Sequence, residues 1–521
     1  MMLKMCGSTG SAETVQSNSI KTKSSNFMST NHYLEKSFLN RKTNGIIALL
    51  LLIVTILSLV LLKPETSVFQ NVLGELCVVL RTPVTFFCYF CILVLLFLLF
   101  SKYGKIRLGG SEAKPEFSTF SWLSCLFMAG CGIGIVFYCQ EPILHYYNNP
   151  YVGQVSGDPV TLAYSLTLFN WTINDWVQYA LLGVIIAYFH YNRGKDLRLS
   201  SILPAKTPMW VRRFVDIIMA LGVISGLTTS LGLGVTQIIK GFDYVFATTI
   251  SPYILMFIIA VVAAWSVTSG LKKGVKWMSN ISTILVCLLL ISVIIIGIFS
   301  LKIYGFFEYI VNGTGLLIRN YFSYNDFYND YSSPWAASYP IFFDLWFAAW
   351  AAFVAVFVAK ISKGRTIREF ILGVVGFPVI FTILWFGIFG SVGAEYRELI
   401  YKAMANDVPT ALFIFFQNIT NNGYYVVLSS IALITICLFF ITSSDSGSYV
   451  ISSLLSKEKK VGPRDKIFWA TIQCLVAMAL YWCGGLALVQ SVSVIMGVLV
   501  MLLIIIGTVF FVRIIRKDKT I

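Results

Sequence analysis

Long apolar runs, separated by short polar stretches, dominate the chain from residue 45 onward. Residues 45–62, GIIALLLLIVTILSLVLL, carry no charge over 18 positions, enough for a helix to cross a hydrocarbon core. Further apolar blocks follow at 84–101, 118–140, 161–191, 212–239, 249–268, 277–303, 340–361, 370–393, 424–451, 466–486 and 490–512. Together they predict an all-α membrane protein with twelve transmembrane helices. Lipid offers no partner for backbone groups, so each span must satisfy its own. Between blocks, residues 304–339 are aromatic and polar and predict a helix lying at the outer surface. Residues 394–423 form a second outer connection. Residues 360–370, KISKGRTIREF, predict a short basic amphipathic helix at the inner interface. Spans 3–7 and 8–12 make two units of five. An odd number of spans places the two units in opposite orientations, the inverted repeat of many secondary transporters.

Charge then fixes the orientation. Of the 39 Lys and Arg, 32 fall in residues 1–44, in the alternate loops 102–114, 192–213, 270–277, 360–369 and 456–466, and in residues 512–521. That is the positive-inside bias, and it predicts a multi-pass cell-membrane protein with both termini in the cytoplasm. The net charge of +15 is therefore a topology signal, and no nucleic-acid partner is expected. Residues 1–44, rich in Ser, Thr, Asn and Lys, are expected to be a disordered cytoplasmic tail. Residues 513–521 are expected to be a short cytoplasmic C-terminal tail. Eleven cysteines show no CxxC spacing, and the three histidines are scattered, so no metal site is expected. The chain holds no Walker A motif and no nucleophile–base constellation, which argues against an ATP-driven pump or an enzyme.

Candidate chemistry sits inside the apolar blocks. Residues 128–138, MAGCGIGIVFY, place Gly130, Gly132 and Gly134 within five positions. Each glycine costs about 1 kcal/mol against alanine in a helix interior. Small residues let helices pack closely. Alternatively the helix unwinds there, and its freed backbone faces a substrate or an ion. In the fourth block, Trp171, Trp176 and Tyr179 fall within about 140° of one another on a helix. In the eighth, Trp346, Phe347 and Trp350 fall within about 100°. Two such faces could line an aromatic box, which suits a quaternary ammonium group; interface-belt or packing roles are the competing account. The tenth block holds five consecutive polar residues, Thr442 to Ser446, including a carboxylate. An oxygen-lined ion site or a water-filled path explains such a run better than lone backbone bonding. The fifth block offers a weaker version in Thr228, Thr229 and Ser230.

Four stretches carry a resemblance: AGCGIG continuing to FYCQEPILHYY; the fourth block ending in AYFHYNRGKDLRLSS; AKISKGRTIREFILGVVGFPVIFTILWFGIFG; and FFITSSDSG. Over roughly residues 45–512 the chain resembles the betaine/carnitine/choline transporter family. The resemblance implies a transporter domain over 45–512 with a sodium-symporter-like (LeuT-type) fold of two extra helices followed by a 5+5 inverted repeat. It also implies a homotrimer in the lipid bilayer, and a glycine betaine, choline or carnitine type of substrate. No cofactor is implied beyond a sodium ion. By motif, Trp171, Trp176, Tyr179, Trp346, Phe347 and Trp350 match the family's substrate box, with Phe347 replacing a Trp. Gly130, Gly132 and Gly134 would border it. Thr442 and Ser443 match a sodium site completed by backbone carbonyls of Phe439, Met128 and Cys131. At a second sodium site, Leu227 stands where relatives often carry Thr, leaving Thr228 and Thr229 as substitutes.

Two residues depart from the family pattern. Asp344 stands where relatives usually have an aromatic residue, and Asp175 where they usually have a small residue or Pro. Either would add negative charge to the substrate path or take up a proton; the competing account is a wet vestibule or a helix-end bond. Gly134 points the other way, since proton-coupled choline carriers of the family often have Asp there. The expected function is therefore sodium-coupled import of a quaternary ammonium compound. Proton-coupled choline import, ion-independent antiport and an osmosensor with secondary transport are the alternatives.

Overall fold

The computed structural model describes residues 44–517, apart from 62–64, 131, 154–156, 270–275, 302–304, 331–333, 421–422 and 456–460. Almost all of the polar N-terminal tail therefore lies outside the described residues. Among those described, the chain is helical, and its only extended pairing is an isolated bridge between Arg107 and Thr366. Eight helices are long and apolar enough to cross a membrane. They are α1 (Asn44–Leu61), α2 (Thr66–Phe100), α8 (Met209–Phe246), α10 (Lys276–Ile295, continuing to Ser300), α12 (Pro334–Ile361), α13 with α14 (Ile367–Ile371 and Phe377–Ala394), α17 (Tyr424–Leu455) and α18 (Pro463–Ile515).

The twelve apolar blocks map onto this set with identifiable differences. Two blocks fuse into the 53-residue α18, whose backbone leaves the helical region only at Gly484 and Gly485. The 118–140 block is broken into α3 (Thr119–Gly130) and α4 (Gly132–Phe137), followed by α5 (Glu141–Asn148). The 161–191 block is broken at Thr172 into α6 (Pro159–Trp171) and α7 (Ile173–Arg193). The 249–268 block forms α9 (Pro252–Ser269).

Burial orders these helices. The most apolar windows of α12 and α8 are 94% and 89% buried, whereas that of α1 is 17% buried. The interior is thus α12 packed on α7, α18, α2 and α8, with α1 at the edge. The predicted outer helix is α11 (Phe306–Asp330), which lies against α6 and α14. Its inward side buries Leu317, Tyr321 and Tyr324. Residues 394–423 supply α15 (Arg397–Asn406) and α16 (Ala411–Ile419).

The basic loops gather at one end. The Asn44 amide donates to Asp216 at 3.3 Å, and Arg198 pairs with the same carboxylate at 3.2 Å. Asn192 donates to the Arg107 carbonyl at 2.9 Å, and the Arg516 guanidinium lies 6.0 Å from the Phe97 ring. Both ends of the described chain therefore sit beside loops 102–114 and 192–213.

One inner segment differs from expectation. Within 360–370, Lys360 and Ile361 end α12 and the residues from Ile367 begin α13. Between them, residues 362–366 make a turn that bonds to 106–108, with Leu108 N donating to Arg365 O at 2.9 Å and Gly364 N to Leu108 O at 2.8 Å. The Arg365 guanidinium then stacks 4.7 Å from the Trp122 ring. Helix α13 starts on a capping box: Glu369 N donates to Thr366 Oγ1 at 3.1 Å, and Thr366 N to the Glu369 carboxylate at 2.7 Å. Thr366→Ala is expected to lower the unfolding free energy by about 1 kcal/mol. A drop in the thermal midpoint of the detergent-purified protein, at unchanged fluorescence of the folded state, is the measurement.

Candidate functional site

The glycine stretch is a break in a helix. The described part of α3 ends at Gly130 and that of α4 begins at Gly132, which has φ +42°, a conformation that strongly favours glycine. Cys131, predicted to offer a carbonyl here, lies outside the described residues. Side chains from other helices bind the carbonyls that α4 leaves free. The Trp385 indole donates to Ile135 O at 3.0 Å, and the Gln237 amide to Val136 O at 3.3 Å. Both donors come from long helices, α14 and α8, so the broken segment is held from two sides.

The other two glycines make room for indoles. A Cβ on Gly130 would lie 2.5 Å from Trp176 Cη2, and one on Gly134 would lie 3.0 Å from Trp171 Cη2 and 3.4 Å from Trp346 Cη2. Gly130, Gly134, Trp171, Tyr179, Trp346, Phe347 and Trp350 line one narrow cleft, whose cavity volume is about 10 Å³. Trp171 meets Trp346 edge-on at 6.3 Å and Phe347 edge-on at 5.7 Å between ring centroids. Tyr179 lies 5.7 Å from Phe347. The α12 trio thus forms one wall, as its helical spacing predicts. The fourth block does not behave as one wheel. Thr172 (φ −113°, ψ −104°) interrupts it, so Trp171 belongs to α6 and Tyr179 to α7. Trp176 sits behind the wall, edge-on to Tyr179 at 5.4 Å.

The candidate ion ligands fall on α17 beside the break. Ser443 Oγ is buried, has no hydrogen-bond partner among the described residues, and would lie 3.9 Å from a Cβ on Gly132. Thr442 Oγ1 donates to Leu438 O at 2.9 Å and Phe439 O at 3.0 Å, which leaves its lone pairs available. Met128 and Phe439 are buried close to this junction of α3, α4 and α17. The carboxylate of the polar run serves elsewhere: Asp445 pairs with Lys466 of α18 at 3.7 Å and accepts from Ser266 of α9 at 3.2 Å. On α8, Thr228 Oγ1 donates to Ile224 O at 2.7 Å, and Thr229 Oγ1 to Ser225 O at 3.0 Å and to Val489 O of α18 at 3.2 Å. Both hydroxyls donate to carbonyls, one of them across a helix contact.

The two departing carboxylates sit together. Asp344 accepts hydrogen bonds from Asn174 and Cys88, so it faces α7 and α2. Its backbone carbonyl accepts from Gln178 at 3.1 Å. Asp175 is fully buried beside it, and neither of its oxygens has a hydrogen-bond partner among the described residues. Neither aspartate is among the residues lining the aromatic cleft.

Sequence reasoning overlooked Glu141. It is fully buried, accepts from the Trp171 indole and, at 2.9 Å, from the Asn170 amide, and lies 3.3 Å from His145 Nε2. The available signal was a lone carboxylate in the apolar run around EPILHYY. Tyr138 and Phe343 were also missed. They extend the cluster at 5.7 Å and 5.1 Å from Trp171, but isolated aromatics in apolar blocks give no distinguishing signal.

The family model described as "BCCT, betaine/carnitine/choline family transporter" matches residues 44–520. A glycine betaine transporter of Acinetobacter baylyi is 32% identical over 514 residues, covering 93% of this chain and 74% of that protein. A glycine betaine/proline/choline transporter of Vibrio parahaemolyticus is 33% identical, with coverages of 79% and 78%. The glycine betaine transporter OpuD of Bacillus subtilis is 34% identical, with coverages of 76% and 78%. Among solved structures, a Na+-coupled sialic acid symporter overlays with a TM-score of 0.43 at 14% identity, covering 83% of this chain and 86% of its own.

Proposed function

The chain belongs to the betaine/carnitine/choline transporter family, and on that premise we propose that it is a secondary active transporter importing a zwitterionic quaternary ammonium solute of the glycine betaine type, coupled to sodium. In this reading it crosses the cell membrane twelve times, with both termini in the cytoplasm and helices 3–7 and 8–12 as inverted units, and works as a homotrimer. The observation that carries the substrate reading is the cleft. Five aromatic side chains from α6, α7 and α12 converge on two glycines. Aromatic faces attract a trimethylammonium head, whose diffuse charge loses little on leaving water.

Two details favour a zwitterion. The indole N–H groups of Trp346 and Trp350 are buried without partners among the described residues. A buried donor left unmatched costs about 1–3 kcal/mol, and a substrate carboxylate at that end would satisfy it. Gly134 has no room for a side chain between Trp171 and Trp346, which leaves no place there for the carboxylate that choline carriers use. Choline offers a single neutral hydroxyl oxygen in place of a carboxylate, a weaker acceptor for the two indole donors.

Sodium is assigned to the α3–α4 break, with Ser443 Oγ, Thr442 Oγ1 and carbonyls of Met128, Cys131 and Phe439 as its ligands. Hard cations take oxygen ligands. The buried, unpartnered Ser443 hydroxyl supports this choice. Binding there would fix the two halves of the broken helix against α17, and α4 carries Gly134 into the cleft. Occupancy of one site thereby shapes the other, and alternating access carries both across. Thr228 and Thr229 remain candidates for a second ion through their lone pairs, since their hydroxyls act only as donors to the carbonyls.

The test is uptake of labelled glycine betaine, choline and carnitine into proteoliposomes, with sodium and proton gradients imposed separately. Betaine uptake driven by inward sodium is the expected result; uptake indifferent to sodium removes the coupling. Within that assay, Ser443→Ala is expected to raise half-saturating sodium about tenfold, since a polar bond to a charge contributes about 1.5–3 kcal/mol. Proton-coupled choline import keeps one observation of its own, the unpartnered Asp175 carboxylate. Asp175→Asn would then abolish proton-driven uptake while leaving betaine binding intact.

A further inference from the structure

Glu141 is a titratable group, buried against the substrate cleft, that the transport reading leaves without a task. It sits at the first turn of α5 and is fully buried. Its two oxygens divide their partners. One accepts the indole N–H of Trp171; the other accepts the Asn170 amide at 2.9 Å and faces His145 Nε2 at 3.3 Å. Asn149 Nδ2 lies 3.2 Å from the other ring nitrogen of His145. Asn170 Nδ2 lies 3.1 Å from His145 Nε2 as well, so amide, imidazole and carboxylate form one buried polar cluster. The Trp171 indole and the Asn170 amide each offer the carboxylate a hydrogen. Among the described residues, no Lys or Arg pairs with it.

Trp171 joins this network to the cleft. Its six-membered ring lines the cleft across from Trp346, while its N–H points away to Glu141. An indole whose N–H is bound to a carboxylate is polarised, with electron density pushed toward the ring. The negative ring face is what attracts a cation, so the attraction grows. The carboxylate also adds an unscreened negative charge one ring-width behind the binding face, in a low-dielectric interior.

We propose that Glu141 is a specificity-determining residue that acts through Trp171: it tunes the indole face to prefer a cationic head group over a neutral one of the same shape. This rests on the reading of the cleft as a quaternary ammonium site. It assigns the charge preference to a residue that touches no substrate, and it explains a buried acid at this position without a coupling role.

The experiment compares glycine betaine with its carbon isostere, 3,3-dimethylbutanoate, by competition binding to the purified full-length protein. The wild type should prefer betaine. Glu141→Gln should cut that preference about tenfold while the affinity for the isostere stays constant. In a Trp171→Phe background, where the donor is gone, Glu141→Gln should change the preference far less. Equal loss for both ligands would mean that Glu141 only scaffolds the cleft, and that overturns the proposal. So does an unchanged preference, or an undiminished Glu141→Gln effect in the Trp171→Phe background. Where Glu141→Gln does not fold, Glu141→Asp replaces it. Its carboxylate withdraws from the indole by one methylene and must lower the same ratio; an unchanged ratio again overturns the proposal. A wild type that binds both ligands equally sinks the reading of the cleft itself, a result separable from any variant.

Discussion

Trp346→Ala is expected to raise the betaine concentration for half-maximal uptake about thirtyfold or more, with the protein still folded and inserted. A desolvated cation–π contact to Trp contributes about 2 kcal/mol, and each 1.4 kcal/mol is a factor of ten. Trp346 is the densest junction of the cleft. Its ring lies 5.6 Å from Phe347, 5.8 Å from Phe342, 6.3 Å from Trp171 and 6.4 Å from Tyr138. Truncation therefore removes one binding face and loosens two others, Phe347 and Trp171, that line the same cleft. Its unpartnered indole N–H adds a second loss if that group meets the substrate carboxylate. Trp346→Phe separates the two contributions, since it keeps a ring and deletes the donor. Betaine should suffer in that variant, whereas choline, which has no carboxylate, should change little. Uptake by Trp346→Ala with an unaltered concentration dependence would place the substrate elsewhere.

That cleft was largely legible in the sequence because its members are chemically conspicuous and locally spaced. Trp346, Phe347 and Trp350 lie on one turn of α12, and helical periodicity alone puts them on one side. Trp171 and Tyr179 were read onto one wheel and do reach one cleft, but by a different route. The break at Thr172, with φ −113° and ψ −104°, splits them between two helices. No Pro or Gly marks the position, so local propensity gave no warning. The break at residue 131 was more visible, because three glycines announce it. Twelve apolar blocks did not become twelve separate long helices for the same reason: hydropathy reports where apolar residues are, while continuity depends on hydrogen bonds from distant helices. Glu141 and the Asp175–Asp344 pair show the limit in its sharpest form. Their significance lies in which neighbours satisfy them, and those neighbours are 29 residues away for Asn170 and on two other helices, α7 and α2, for Asp344. The same holds for Asp445, whose partner Lys466 lies across a loop on the next helix.

Gly130→Ala is expected to abolish transport, although alanine is the better helix former by about 1 kcal/mol. The added Cβ would lie 2.5 Å from Trp176 Cη2, 2.6 Å from its Cζ3 and 3.4 Å from Tyr179 Cε2. Contacts of that kind force something to move, and the atoms struck belong to a rigid, fully buried indole rather than to a flexible chain end. Overpacking of a buried site costs about 1–3 kcal/mol. The displacement has only one way to go. Trp176 rests edge-on against Tyr179 at 5.4 Å, Tyr179 lies 5.7 Å from Phe347, and Phe347 lies 5.7 Å from Trp171 and 5.6 Å from Trp346. A shift of Trp176 is thus passed ring by ring into the cleft, where there is little spare volume to absorb it. The pairing of effects makes the prediction specific: a modest fall in thermal stability together with a fall in uptake to about a tenth of wild type or less. A second substitution checks the cause. Trp176→Phe removes the struck part of the indole, so in the Gly130→Ala background it should restore a substantial share of uptake. Wild-type transport by Gly130→Ala alone would show that the glycine serves only close helix packing, and a double variant as inactive as the single would show that Trp176 is not what the methyl group displaces.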